Sequence, residues 1–202
     1  SKPMQYRIHT SPTPNFSRAE NAVIGCYVWP GFDTYRPETN VRLLCVDGKG
    51  LALQMFCRES APKAVYSQFF DPVYKDSCME FFFSFEKGGR YVNCEMNARG
   101  AALMAIGPDR FDRTRLDALT TPPAVRPLRT DNGWWGVEVF FPLETLRTLF
   151  GDVSLSPGTV LYGNFYKCGD ETEIEHYGMW SPVGTEKPDF HRPEFFGELV
   201  ID

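Results

Sequence analysis

The stretch that most constrains this chain is "SCMEFFFSFEKGGRYVNCEMN", Ser77 to Asn97. Two apolar-rich runs flank Gly88–Gly89, and a Gly-Gly pair favours a two-residue hairpin turn. Such a turn sets Lys87 opposite Arg90, Glu86 opposite Tyr91, Ser84 opposite Asn93, Phe82 opposite Glu95 and Glu80 opposite Asn97. Side chains alternate along a strand, so the hairpin has two unlike faces. One carries Phe81, Phe83 and Phe85 against Val92, Cys94 and Met96 and belongs in a core. The other is a polar and aromatic stripe of Glu80, Phe82, Ser84, Tyr91, Asn93, Glu95 and Asn97.

The rest of the chain is written in the same idiom. "NVRLLCVDGKGLALQMFCRES" holds two β-like runs around an Asp-Gly turn signal, and Leu51, Leu53, Met55 and Cys57 alternate with period two. "GWWGVEVFFP" repeats the pattern, with Trp135, Val137, Val139 and Phe141 on one side. "AVIGCYVW" is a first apolar run, "AALMAI" a short strand, and "TVLYGNFYKC" and "FFGELVID" closing strands. "AVRPLR" reads as an edge strand, because Pro127 cannot donate to a ladder. "PLETLRTLF" (142–150) is the one helix, with Pro at its start and Gly151 at its stop. Residues 1–20 read as an irregular, Pro-rich leader. Short strands, many turns and one helix predict a single all-β domain over 1–202. The expected architecture is a two-sheet antiparallel β-sandwich, jelly-roll-like and immunoglobulin-like in outline.

Composition narrows the function classes. Net charge is −5 with no basic stripe, which excludes the electrostatic footprint of a nucleic-acid binder. No apolar run reaches the length of a membrane span, and the chain shows no signal-peptide core. Oligomeric state cannot be read from the sequence. The 6 Cys include no CxxC pair and sit in apolar runs, so they read as buried free thiols. Free thiols suit a reducing compartment; excision from a secreted enzyme would place the chain outside the cell.

Hydrolase, nucleotide and zincin motifs are missing. Glu80 and Glu95 share one hairpin face and could form an acid/base pair of a glycoside-processing enzyme, since such enzymes use two carboxylates; their ordinary reading is as hydrogen-bond acceptors. "CGDETEIEHY" offers Asp170, Glu171, Glu173 and Glu175 for calcium, but without EF-hand spacing it reads as a solvated acidic loop. The fold also admits a b-type haem electron-transfer domain, with Met96, Met104, Met179 and His176 as candidate axial ligands. His191, before Arg192–Pro193, reads as a loop-fixing residue. The closing run "MWSPVGTEKPDFHRPEFFG" presents Trp180 as an exposed platform, stiffened by Pro182, with Phe190, Phe195 and Phe196 as loop anchors. An aromatic platform beside a stripe of Glu, Asn and Tyr suits a sugar, whose C–H faces stack while its hydroxyls bond to polar groups.

Six ordered pieces, "YKDSCMEFFFSF", "RYVNCEMNARGAAL", "WWGVEVFFPLETL", "GTVLYGNFYKC", "MWSP" and "DFHRPEFFGEL", together resemble the family 9 carbohydrate-binding modules from about Ala22 onward. The resemblance implies a β-sandwich that binds a sugar, often at a chain end, without catalysis or a required cofactor. It implies two clasping aromatics, one six positions before a motif Glu. That places Tyr74 before Glu80, with Trp180 as the partner ring and Glu95, Asn97 and Arg99 as further polar contacts. Tyr74 stands where the family has Trp. The resemblance also implies a structural calcium, whose ligands the sequence does not place.

Overall fold

The structure, a computed structural model, describes residues 2–202. In chain order its elements are β1 (Gln5–Ser11), β2 (Ala22–Val23), β3 (Thr39–Val46), β4 (Gly50–Arg58), β5 (Cys78–Ser84), β6 (Tyr91–Asn97) and β7 (Ala102–Gly107). There follow β8 (Thr114–Arg115), β9 (Val125–Arg129), β10 (Trp134–Pro142), α1 (Leu143–Phe150), β11 (Val160–Gly169), β12 (His176–Met179) and β13 (Gly197–Ile201). One layer runs β8-β7-β6-β5-β11-β13, with β12 also on β11; the other runs β3-β4-β10-β9, with β2 on β3. The architecture is the expected all-β sandwich with one short helix. No helix among the described residues is long and apolar enough to cross a membrane.

The alternations place the core between the layers. Phe81, Phe83, Val92, Cys94 and Met96 from one sheet meet Leu51, Leu53, Met55, Trp135, Val137 and Phe141 from the other, all fully buried. α1 caps one end, burying Leu146 and Leu149 and setting Phe150 against Phe83. Pro127 lies in β9, at the edge of its sheet.

The leader is not irregular. β1 joins the two layers: Gln5–Ile8 pairs in parallel with β13, and His9–Ser11 in parallel with β3. Only Tyr6 and Ile8 alternate inward in this strand, too short an apolar signal among polar neighbours. The Tyr6 hydroxyl accepts from the Leu43 N–H at 2.9 Å and donates to the Glu20 carbonyl at 2.6 Å, which ties β1 to β3 and to the segment that leads into β2.

The hairpin register also differs from the Gly-Gly expectation. The turn centres on Lys87–Gly88, where the Gly89 N–H donates to the Glu86 carbonyl at 3.0 Å and Gly88 holds φ +69°. Phe85 leaves the ladder to pack on Phe150, and the Ser84 hydroxyl accepts from the Glu86 N–H at 3.1 Å. A two-residue shift leaves every side chain on its face but changes its partner. Glu80 therefore faces Glu95, Phe82 faces Asn93 and Cys78 faces Asn97.

Candidate functional site

The outer face of the β5–β6–β7–β11 layer is the polar stripe, and loops fold over it to leave a pocket of about 380 Å³. Its floor is Glu80, Asn93, Glu95 and Cys168, with Leu103 and Ala105 of β7 beside them. Tyr74 and Phe70 come from the 59–77 loop, Arg110 and Arg113 from the 108–113 turn, and Asp170 and Tyr177 from the ends of β11 and β12. The closing loop supplies Pro188, Asp189, Phe190 and His191.

The polar groups are wired in series. Arg113 donates to Asn93 Oδ1, and Asn93 Nδ2 donates to Glu95 Oε2 at 2.8 Å. Arg113 also donates to the Tyr91 carbonyl at 3.0 Å and to the Gly107 carbonyl at 2.8 Å, and its guanidinium lies 4.2 Å from the Tyr91 ring centre. Its Nε–H is buried without a partner, a donor left over beside the pocket. Arg110 ties the rim together through a 2.9 Å bridge to Asp189. His191 Nδ1 hydrogen-bonds the Tyr91 hydroxyl at 2.8 Å; burial, then Arg113 and Arg110, pull its pKa down to about 3, so the imidazole is neutral.

Burial drives the floor carboxyls the other way. Glu80 stands well above the usual carboxylate range, through burial and then the neighbouring Cys168 and Glu95. Burial pushes Glu95 up to about 7, against a hydrogen bond from Asn93 and the adjacent Glu80 carboxyl. Two carboxyls side by side in a buried floor cannot both ionise cheaply, so at least one presents an O–H donor near neutrality. The floor thus offers both donors and acceptors. Phe70 sits at φ +71°, a left-handed backbone that a bulky residue seldom adopts, and its strain falls at the pocket wall.

The expected site residues divide. Tyr74, Glu80 and Glu95 line the pocket together. Trp180 does not: it is only 5% exposed and its ring packs edge-on against Phe165 inside the sandwich, 5.5 Å between centres. The reason is local. The Trp180 N–H continues the ladder by donating to the Phe165 carbonyl at 2.9 Å, so alternation turns Met179 outward and Trp180 inward. Gly197 leaves room for that ring, since a Cβ there would lie 2.4 Å from it. Asn97 is also structural. Its Nδ2 donates to the Tyr66 carbonyl and Asp76 Oδ2, and its Oδ1 accepts from the Arg99 and Ala101 N–H groups. Arg99 is exposed and lines no part of the pocket.

The ring that the closing loop does deliver is Phe190, stacked on Tyr166 at 4.0 Å. Arg110, Arg113 and Asp189 are not legible as site residues, because loops of mixed charge carry no period; Tyr177, in the short β12, and Asp170, expected only as a calcium ligand, join them at the pocket. The haem candidates are otherwise engaged. Met96 and Met104 are in the core, Met179 accepts from the Val183 N–H, and His176 is bound by Lys167 and Ile174. In the acidic loop Glu171 pairs with Lys75, Glu175 accepts from Tyr177, and Asp170 turns to the pocket. Glu80 and Glu95 lie side by side on one floor rather than across a cleft, which does not suit a two-carboxylate hydrolase.

A family model described as "Carbohydrate-binding family 9" matches residues 13–201. A Bacteroides uniformis protein to which carbohydrate binding is ascribed is similar in structure at 25% identity and TM-score 0.81, covering 100% of this chain and 99% of its own. A family 9 module from Caldicellulosiruptor kristjanssonii solved with cellotriose aligns at 12% identity and TM-score 0.70, covering 98% and 93% of the two chains. The same organism's module with glucose aligns at 13% and 0.69, covering 98% and 96%. No curated protein matches the chain.

Proposed function

The chain belongs to carbohydrate-binding family 9, and we propose that it holds its sugar in the pocket on the β5–β6–β11 face. The module is non-catalytic. One observation carries the placement: the pocket combines a floor of buried donors and acceptors with aromatic walls. Sugar sites need both, an apolar surface for C–H faces and placed polar groups for hydroxyls.

In this reading Tyr74 is one wall, and Phe190 takes the place expected of Trp180. Glu80, Asn93, Glu95 and Arg113 bind hydroxyls, with Arg113 contributing its unpartnered Nε–H. A pocket of about 380 Å³ with the Arg110–Asp189 bridge at its rim suits one sugar unit at a chain end. The glucose and cellotriose held by the Caldicellulosiruptor modules make a terminal glucose unit the first ligand to test. Affinity in the roughly micromolar to millimolar range, about −8 to −4 kcal/mol, is expected of so small a contact.

Calorimetry with glucose and cello-oligosaccharides tests it. Tyr74→Ala and Glu95→Gln should each weaken binding at least tenfold, about 1.4 kcal/mol, while Trp180→Phe keeps it. Unchanged affinity in both pocket variants would reject the site.

A further inference from the structure

At the pocket floor Glu80 stands with two cysteines, Cys78 and Cys168, that sugar binding does not require. Cys78 and Cys168 sit directly opposite each other on β5 and β11, and Glu80 is two residues along β5 on the same face. Cys168 Sγ is 3.2 Å from Glu80 Oε2, and Cys78 Sγ is 3.6 Å from the same oxygen. All three ligand atoms lie within 4.8 Å of one another, and the three side chains are buried.

We infer that Cys78, Cys168 and Glu80 form a site for a thiophilic divalent cation of the zinc class, with a fourth position open to the pocket. Ligand spacing is the first support. A tetrahedral ion with bonds of about 2.3 Å to sulfur and about 2.0 Å to oxygen sets S···O near 3.5 Å. The two observed separations bracket that value, so an ion could enter with small side-chain shifts. Donor type is the second: two thiols select a soft ion and exclude calcium or magnesium. Electrostatics is the third. The floor gathers Glu80, Glu95 and Cys168, with Cys78 buried beside them and Asp170 at the pocket wall. Carboxyls and thiols crowded together away from water keep their protons unless a cation takes their place. A divalent cation would replace those protons and release them to solvent. Glu80 and Cys168 line the pocket while Cys78 does not, so the open coordination position faces the cavity, where water or a sugar hydroxyl can occupy it. Three protein ligands and one exchangeable position are the pattern of an open zinc site.

The test is titration of the reduced, metal-free protein with Co²⁺, read by its thiolate charge-transfer absorption, then displacement by Zn²⁺. One ion per chain should bind. Cys78→Ser and Cys168→Ser should each weaken binding more than about 100-fold, beyond the loss from an outer-shell partner. Cys94→Ser, in the core and away from the site, should leave it unchanged. Calorimetry in buffers of different ionisation enthalpy should show net proton release. Melting curves identify any variant that fails to fold, and Glu80→Gln, which conserves shape, then replaces it. No thiolate band at saturating Co²⁺, or a band that survives Cys168→Ser in folded protein, overturns the site. Sugar affinity is measured separately with chelator present, so loss of the metal reading leaves the sugar reading intact.

Discussion

Lys167→Met should cost this domain a large part of its stability. Lys167 lies on β11 with its ammonium fully buried on the core side, the same side as Phe165. It reaches across the sandwich to Glu59 Oε1 at 3.1 Å and donates to His176 Nε2 at 2.8 Å. Glu59 follows β4 in the other layer and also accepts from Tyr35 at 2.7 Å and Trp135 at 3.0 Å. Burial alone would lower the Lys167 pKa, but the neighbouring Cys57 and Glu59 outweigh it and hold it above the ordinary value. Burial would raise Glu59, yet Lys167 together with the hydrogen bonds from Tyr35 and Trp135 outweighs it and holds Glu59 below the ordinary value. Both partners are therefore charged. Removing the ammonium strands a buried carboxylate, a change worth about 3–5 kcal/mol. The donors that remain to Glu59, Tyr35, Trp135 and the weaker Cys57 thiol, favour the lower end, and the lost bond to His176 adds about 1 kcal/mol. The expected loss is about 3–4 kcal/mol, or a Tm lower by roughly 6–16 °C for a domain of this size. Urea melts followed by tryptophan fluorescence measure it. Lys167→Met combined with Glu59→Gln should recover at least about 1 kcal/mol of the loss, because no stranded charge is left. A single variant within about 1 kcal/mol of wild type would refute the inter-layer ion pair.

Three further outcomes are expected. Trp180→Ala should destabilise by about 3–5 kcal/mol through the cavity it leaves in the core, and Trp180→Phe by less, with sugar affinity kept; normal stability and lost binding would restore the platform role. His176 is neutral, its pKa lowered to about 4 by burial and then by Lys167, so its contribution is complete above the unfolded value near 6.5 and is lost as pH falls towards 4. The stability advantage of wild type over His176→Asn should therefore shrink by about 1.4 kcal/mol per pH unit across that window, and NMR should place the proton on Nδ1, which donates to the Ile174 carbonyl at 2.7 Å; an advantage independent of pH would contradict this. Gly107→Ala should weaken sugar binding in calorimetry, because a Cβ there would lie 1.8 Å from the Asp112 carbonyl oxygen and displace the turn that carries Arg113; wild-type affinity would show that Arg113 tolerates the shift.

The faces of the strands were legible because alternation is a property of the backbone. β5, β6 and β10 turn the same residues inward whatever their register, so a hairpin read two residues out still put Glu80, Asn93 and Glu95 on one side. Register was not legible, because it depended on Phe85 leaving the ladder for Phe150, a contact 65 positions along the chain. The difference matters chemically. Glu80 opposite Asn97 would be an ordinary acceptor; Glu80 opposite Glu95 becomes half of a proton-sharing pair. Lys167 was hidden for a related reason, as a lysine within an apolar strand shows its partner only when the second layer is in place.

The closing run shows where reading by residue type fails. Trp180 and Phe190 are ten positions apart in one aromatic, Pro-rich segment, and the larger ring invites the binding role. What assigns the roles is the backbone beneath each ring. Met179 and Trp180 still pair with β11 and its neighbours, so Trp180 obeys strand alternation and goes inward, over a Gly197 that gives it space. Phe190 comes after that pairing ends, beyond Pro182 and Pro188, where no alternation constrains it, and the Asp189–Arg110 bridge holds its loop over the polar floor. An aromatic is free to serve a ligand only where the ladder has released its backbone. In this chain that release comes after Trp180, which is why the more conspicuous residue builds the core and the less conspicuous one faces the pocket.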